Sequence, residues 1–144
     1  MTQIERITAK GQLVPLIFSQ DATADSQTAA AMNIIETGAT SGTLGTQEYQ
    51  VPFDFEFIAV SVVSDSARTA GTLTVDATKN GTVTGLQAAL DATNTTRHYA
   101  KQARDSDKGV AGDRIGVKLT TASWTPVTAD IVVVVWALVY VAGV

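Results

Sequence analysis

The apolar run Ile131–Val141, bounded by Asp130 and Gly143, constrains the fold more than any other stretch of this sequence. Its length is about half of the roughly 20 residues that cross a bilayer as a helix, and its β-branched and aromatic residues favour a strand. Both faces of that strand are apolar, one with Ile131, Val133, Val135, Ala137, Val139 and Val141, the other with Val132, Val134, Trp136, Leu138 and Tyr140. The sequence therefore predicts a core strand whose second face is covered by a loop, by the N-terminal segment or by another copy of the chain.

Alternation of apolar and polar residues predicts several more strands. Residues 72–78 place apolar side chains on one side, and Asn80-Gly81 follows with the residue pair that a type I′ hairpin turn requires. We expect inward rows at Leu73, Val75 and Ala77, at Leu86, Ala88 and Leu90, and at Ile115, Val117 and Leu119. Trp124 falls in residues 122–129, which are expected to connect the last two strands.

The N-terminal half contributes weaker signals of the same kind. Residues 13–18 predict a short strand, and Pro15 favours an edge position because proline lacks an N–H for the ladder. Residues 1–12 are polar and predict an extended N-terminal arm. Short strands separated by turns predict one all-β domain over residues 13–144, an antiparallel β-sandwich or jelly-roll-like fold.

Composition narrows the classes of function. A formal net charge of −4 argues against a nucleic-acid partner, which normally requires a basic face. There are 0 cysteines, so disulfides and thiolate metal sites are excluded. The first residues lack the basic-then-apolar order of a secretory signal, so we expect a soluble protein made inside the cell, with no membrane partner and no cofactor.

Candidate chemistry is sparse, and each motif has a plainer explanation. His98 is the single histidine, but no Gly-x-Ser-x-Gly nucleophile motif accompanies it, so a strand or interface position is favoured over catalysis. Asp105-Ser-Asp-Lys-Gly109 is oxygen-rich like a calcium loop, yet its spacing departs from the EF-hand and Lys108 adds a positive charge, which favours a solvated loop. Tyr99 and Trp124 are candidates for an aromatic platform that stacks on sugar rings, or for interface anchors. We therefore expect no enzyme.

Three stretches resemble a β-sandwich domain that recurs in virion proteins of tailed bacteriophages. They are residues 67–85 (ARTAGTLTVDATKNGTVTG), 90–95 (LDATNT) and 110–121 (VAGDRIGVKLTT). At this size and with a free N-terminal arm, the chain is most similar to a capsid decoration protein, also called an auxiliary or head-stabilisation protein. Similar domains occur in head fibres, neck and tail proteins.

The resemblance implies a homotrimer made in the host cytoplasm and seated on the outer surface of the capsid, where it binds the major capsid protein and stabilises the shell. The predicted trimer or capsid contacts are the apolar residues of the arm and first strand, and aromatic residues that sequence cannot divide between core and interface: Ile4, Ile7, Leu13, Leu16, Phe18, Phe53, Phe55, Trp136 and Tyr140. The alternative function is a carbohydrate-binding or receptor-adhesion module that uses Tyr99 and Trp124.

Overall fold

The computed structural model describes residues 11–34 and 47–141, which form two antiparallel sheets packed face to face. The strands are β1 (Gln12–Gln20), β2 (Ala30–Ala31), β3 (Tyr49–Gln50), β4 (Asp54–Ser64), β5 (Ala70–Lys79), β6 (Thr82–Leu90), β7 (Arg97–Lys101), β8 (Lys108–Gly109), β9 (Arg114–Thr125) and β10 (Ile131–Tyr140). The predicted antiparallel β-sandwich is confirmed. In the described part of the chain, no helix is long and apolar enough to cross a membrane.

Each sheet has five strands and its own order. Sheet A runs β1-β10-β4-β7, with β8 also paired to β4, and sheet B runs β2-β9-β5-β6, with β3 also paired to β9. β10 therefore lies in the interior of sheet A, between β1 and β4. This interior position suits the most apolar segment of the chain. The backbone groups of β10 form hydrogen bonds with β1 on one edge and with β4 on the other, and so do not depend on water.

The core lies between the sheets and is built from the predicted inward rows. On β10 the buried row is Ile131, Val133, Val135, Ala137 and Val139. Sheet B contributes the three rows expected from alternation: Leu73, Val75 and Ala77, then Leu86, Ala88 and Leu90, then Ile115, Val117 and Leu119. All of these side chains are buried, which confirms the inward-facing rows that the sequence predicted.

A bulge in β4 changes which of its residues face the core. Phe57 lies opposite Ala137 and Ala59 opposite Trp136, which leaves Ile58 as an extra residue on β4. Before the bulge the core residues are Phe55 and Phe57, and after it they are Val60 and Val62. The extra residue shifts the alternation by one position, so odd-numbered residues face the core before the bulge and even-numbered residues face it after the bulge.

A second irregularity carries Trp124 into the core. Thr72 pairs with Ala122 and Ala70 with Thr125, so two residues of β9 lie opposite Gly71 alone. Gly71 has φ +73° and Ser123 has φ +53°. The predicted connection over residues 122–129 is therefore wrong at its start, because β9 continues to Thr125 and the bulge turns the Trp124 ring inward, where it is 0% exposed.

Two local predictions about turns and edges are confirmed. Asn80 and Gly81 have φ +52° and +82° in the β5–β6 hairpin, as a type I′ turn demands. β1 is an edge strand of sheet A. Ser19 exchanges backbone hydrogen bonds with Asn33 on the side away from β10, and backbone direction alternates along a strand, so the nitrogen of Pro15 also faces that side and interrupts no bond to β10.

Gly109 of β8 offers a sharp test of core packing. It lies opposite Phe55, and a Cβ placed on Gly109 would stand 2.1 Å from the Phe55 ring. Gly109→Ala should therefore displace the ring and lower the free energy of unfolding by about 1–3 kcal/mol, the usual cost of overpacking. The control is Gly85→Ala, where a Cβ meets nothing within 4 Å. Thermal melting followed by circular dichroism would contradict this packing if the two variants melted at the same temperature.

Candidate interaction surface

The side of sheet A that faces away from the core is apolar across four strands. Residues directly opposite each other on paired strands share a face, and the register aligns Ile17, Val134, Ser61 and Tyr99 in one row. The outer face of sheet A, as we call this side, consists of Leu13, Pro15 and Ile17 of β1, Val132, Val134, Trp136, Leu138 and Tyr140 of β10, Ala59, Ser61 and Val63 of β4, and Arg97, Tyr99 and Lys101 of β7.

Exposed apolar side chains concentrate on this face. The described residues include eight large hydrophobic side chains that are strongly exposed, and five of them lie here: Leu13 (55%), Ile17 (53%), Val63 (45%), Tyr99 (65%) and Val132 (43%). With the half-buried side chains between them, they form a continuous apolar surface on sheet A. Contiguous exposed apolar patches on a folded chain are often functional.

Charge is confined to the margins of the outer face. Arg97 and Lys101 stand on β7 at one edge of the sheet, and Asp54 stands at the end of β4. The β1 margin and the middle of the face carry no charged residue between Leu13 and Ile17 or between Val132 and Leu138. A charge-free centre with a polar rim is the anatomy of a protein–protein interface.

A groove runs along β4 within the outer face. Its floor is made by two small residues, Ala59 and Ser61, and its walls by Trp136 on one side and Tyr99 on the other. This open depression has a volume of about 450 Å³, and Leu13 and Lys101 also line it. Its apolar lining continues the apolar surface of β10 toward β7.

A buried carboxylate closes one end of the outer face. Glu56 is 1% exposed and accepts hydrogen bonds from the Arg104 guanidinium and from the backbone N–H of Asp105, at 3.0 Å. Arg104 Nη2 also donates to the Tyr140 hydroxyl at 2.7 Å. The hydrogen bond to the Glu56 carboxylate, more than the one to Tyr140, raises the pKa of Arg104 above its usual value. The chain after β7 is thereby held over Glu56 and Tyr140, and the apolar part of the face stays open.

The structure divides the predicted interface residues that it describes among the outer face, an apolar cleft and the core. Leu13 and Trp136 lie on the open outer face, and Tyr140 lies at its closed end. Leu16 and Phe53 are half-buried and line an apolar cleft of about 330 Å³ at the edge between the two sheets. Ile4 and Ile7 lie outside the described residues.

Two of the predicted interface residues belong to the core. Phe18 is 0% exposed and Phe55 is 1% exposed, so both rings lie in the core of the subunit. The interface prediction is wrong for Phe18, and Phe55 takes the core position that the sequence had left open beside the interface. The physical reason is that both side chains point toward the core in the alternation of their strands. Phe18 lies opposite Val133, and Phe55 lies opposite Val139, both in the buried row of β10.

The predicted aromatic platform is not assembled. Trp124 is 0% exposed and its Nε1 donates to the carbonyl of Pro126 at 3.1 Å, so this ring cannot stack on a sugar. Tyr99 is exposed, but it stands on sheet A, whereas Trp124 belongs to β9 of sheet B. The platform prediction is therefore wrong for Trp124, because the bulge at Ser123 turns that ring into the core.

The remaining titratable candidates are engaged within the chain. His98 Nδ1 accepts a hydrogen bond from the N–H of Ala89 at 3.4 Å. Asp105 forms an ion pair with Lys108 at 2.8 Å. The amide of Asn80 donates to Asp113, and this bond, with another from the N–H of Val110, lowers the pKa of the Asp113 carboxyl.

Sequence reasoning missed Ile17, Val63, Ala59 and Ser61 as members of this surface. The available signal was the second apolar row of β10, which predicted a covered face. That signal could not show which strands lie beside β10, because strand order within a sheet depends on the tertiary structure. Once β1, β4 and β7 are placed beside β10, their outward residues extend the row into a surface.

Comparison with known proteins finds similarity among solved structures. No model of a protein family matches the chain, and no curated protein matches it. Among solved structures, the chain is similar to one from the cryo-EM structure of Mud Crab Dicistrovirus, with a TM-score of 0.36 and 11% sequence identity, over 90% of this chain and 68% of the other.

Glu56 should contribute substantially to stability because its carboxylate is buried and hydrogen-bonded. Glu56→Gln keeps the shape of the side chain but removes the negative charge that accepts hydrogen bonds from the Arg104 guanidinium and the backbone N–H of Asp105. We therefore expect a loss of about 2 kcal/mol in the free energy of unfolding. The control is Lys108→Met, which breaks an ion pair whose side chains are 63% and 69% exposed, and it should leave stability unchanged. Urea denaturation of the two variants checks this. Equal midpoints would mean that the buried carboxylate does not hold the segment after β7.

Proposed function

We propose that this protein is a structural virion protein that binds the outer surface of a phage capsid as a homotrimer and stabilises the shell. The observation that carries the proposal is the apolar, charge-free centre of the outer face of sheet A, which a solitary domain would leave in water. The sandwich architecture and the resemblance of residues 67–85, 90–95 and 110–121 to phage virion domains support it. The role is one of binding and assembly, with no catalytic step.

A stabilising role follows from simple linkage. A protein that binds the assembled shell but not its dissociated subunits shifts the assembly equilibrium toward the shell by its binding free energy. Three subunits joined together engage neighbouring major capsid proteins at once, so each contact raises the effective concentration of the next. Weak individual contacts then suffice, which suits a surface of moderate apolar area and a net charge of only −4.

The proposal is tested by co-sedimentation of the purified chain with shells of the same virion that lack it. We expect saturable binding at a fixed ratio to the major capsid protein, together with a rise in the melting temperature of the shell. Shells that bind none of the added chain would refute the proposal. Saturable binding to a glycan array with no shell binding would instead favour an adhesion module.

The N-terminal arm is proposed to contact the capsid rather than to hold the domain together. Deletion of residues 1–10 stops before β1, which begins at Gln12. Fold and oligomer should therefore persist while shell affinity falls by about tenfold or more, the equivalent of one or two lost apolar contacts at roughly 1.4 kcal/mol per factor of ten. A Gly/Ser segment of equal length in place of residues 1–10 serves as the control. Loss of the cooperative melting transition, or unchanged shell affinity, would contradict this division of roles.

A further inference from the structure

We infer that Asn80 is a deamidation site that the fold protects, with Asp113 as the side chain that holds its amide in place. Of the asparagines in the sequence, at positions 33, 80 and 94, it is the one followed by a glycine. Deamidation here would alter the contacts of the β5–β6 turn. It would limit the chemical lifetime of the folded chain whether or not the chain binds a capsid.

The reaction at an Asn-Gly pair needs no enzyme. The backbone nitrogen of Gly81 attacks Cγ of Asn80, and the new N–Cγ bond replaces the bond from Cγ to the amide nitrogen, which leaves as ammonia with the proton of the Gly81 N–H. Water then opens the resulting five-membered succinimide at either of its two carbonyl carbons, which gives aspartate or isoaspartate at position 80. Glycine favours this chemistry because it has no Cβ to hinder the attacking nitrogen.

The folded hairpin holds the two reacting atoms apart. Asn80 and Gly81 have φ +52° and +82° in the two-residue turn between β5 and β6. A type I′ turn sets ψ of its first residue to about +30°, which directs the Gly81 nitrogen away from the side chain of Asn80. Ring closure requires a rotation that brings this nitrogen beside Cβ of Asn80. Deamidation therefore proceeds from molecules in which the turn has opened, and their population sets the rate.

Several hydrogen bonds resist the opening of this turn. Asn80 Nδ2 donates to Asp113 Oδ1 at 3.0 Å, and Asn80 Oδ1 accepts from the backbone N–H of Arg114 at 2.9 Å. The backbone N–H of Asn80 donates to the carbonyl of Arg114 at 2.9 Å. Lys118 Nζ donates to the carbonyl of Gly81 at 2.6 Å. Both polar atoms of the amide and both residues of the turn are thus bound to the chain around the start of β9.

Asp113 holds the amide nitrogen, which is the leaving group of the reaction. Its carboxylate accepts from Asn80 through Oδ1 and from the backbone N–H of Val110 through Oδ2, each at 3.0 Å. The bond from Asn80, and next the bond from Val110, lower the pKa of the Asp113 carboxyl below its usual value. The carboxylate is therefore ionised at neutral and alkaline pH, where the attacking nitrogen loses its proton most readily and the reaction is fastest.

Deamidation would turn the attraction between these two side chains into repulsion. A carboxylate at position 80 keeps an oxygen that accepts from the N–H of Arg114, but it loses the N–H donor to Asp113. Two carboxylates would then face each other where Nδ2 and Oδ1 now lie 3.0 Å apart. Like charges at that separation disfavour each other, so the product should hold the β5–β6 turn less tightly against the start of β9.

Folded and unfolded samples of the wild-type chain test the protection directly. One sample is incubated in buffer and one in urea, both at the same mildly alkaline pH, and peptide mass spectrometry follows the deamidated fraction at position 80. We expect the folded chain to react more slowly by about tenfold or more, because the opened turn is rare. Asn94 is the internal control, since Thr95 hinders attack there in both samples. Equal rates at position 80 would overturn the inference.

Substitution of Asp113 tests its part in the protection. Asp113→Ala removes the acceptor of the amide, so deamidation of the folded chain should accelerate by about threefold to tenfold, the range for one exposed hydrogen bond. The control is Asp107→Ala, which removes the same charge from the loop before β8 and keeps the backbone carbonyl that accepts from the N–H of Phe57. An unchanged rate in folded Asp113→Ala, or an equal acceleration by Asp107→Ala, would contradict the role of Asp113.

Asn80→Asp reproduces the main consequence of the reaction. This variant should melt at a temperature lower by roughly 3 °C, measured by circular dichroism. Asn80→Asp combined with Asp113→Asn should recover the loss, because the second substitution returns an amide donor to the pair. A double variant that melts no higher than Asn80→Asp alone would show that the two side chains are not coupled.

Discussion

The structure depends on the placement of β10 inside sheet A. This strand is apolar on both faces, so it needs a core on one side and further cover on the other. β1 and β4 pair along its two edges, and its inner row meets the rows of sheet B. The remaining row turns the outside of sheet A into an apolar surface. One strand thus contributes both to the core of the domain and to the apolar centre of its outer face.

Local irregularities decide how the aromatic residues are used. The bulge at Ile58 lets Phe55 and Phe57 share a core with Val60 and Val62, although their positions differ in parity. The bulge at Ser123 turns Trp124 inward. No bulge in β10 itself interrupts its alternation, and Trp136 stays on the outer face. The two tryptophans therefore serve different purposes, one in packing and one at the surface.

Polar and charged groups lie at the margins of the outer face. Glu56 and Arg104 hold the chain after β7 over one end of it, and Arg97 and Lys101 place cations along one margin. Pro15 lies on the edge of β1 that faces away from β10, and its missing N–H hinders the addition of a strand from another molecule at that point. Proline and charge at the margins of a sheet disfavour edge-to-edge aggregation.

The sequence by itself determined the class of fold, the inward rows of β5, β6, β9 and β10, the Asn80-Gly81 turn and the edge position of Pro15, because these follow from local alternation and backbone preference. Only the tertiary structure decided that Phe18, Phe55 and Trp124 are core residues and that Ile17, Val63 and Tyr99 share a surface with Trp136. Strand order and bulges set those outcomes. A single extra residue reverses the face of everything beyond it, and which strands become neighbours depends on contacts between residues far apart in the chain.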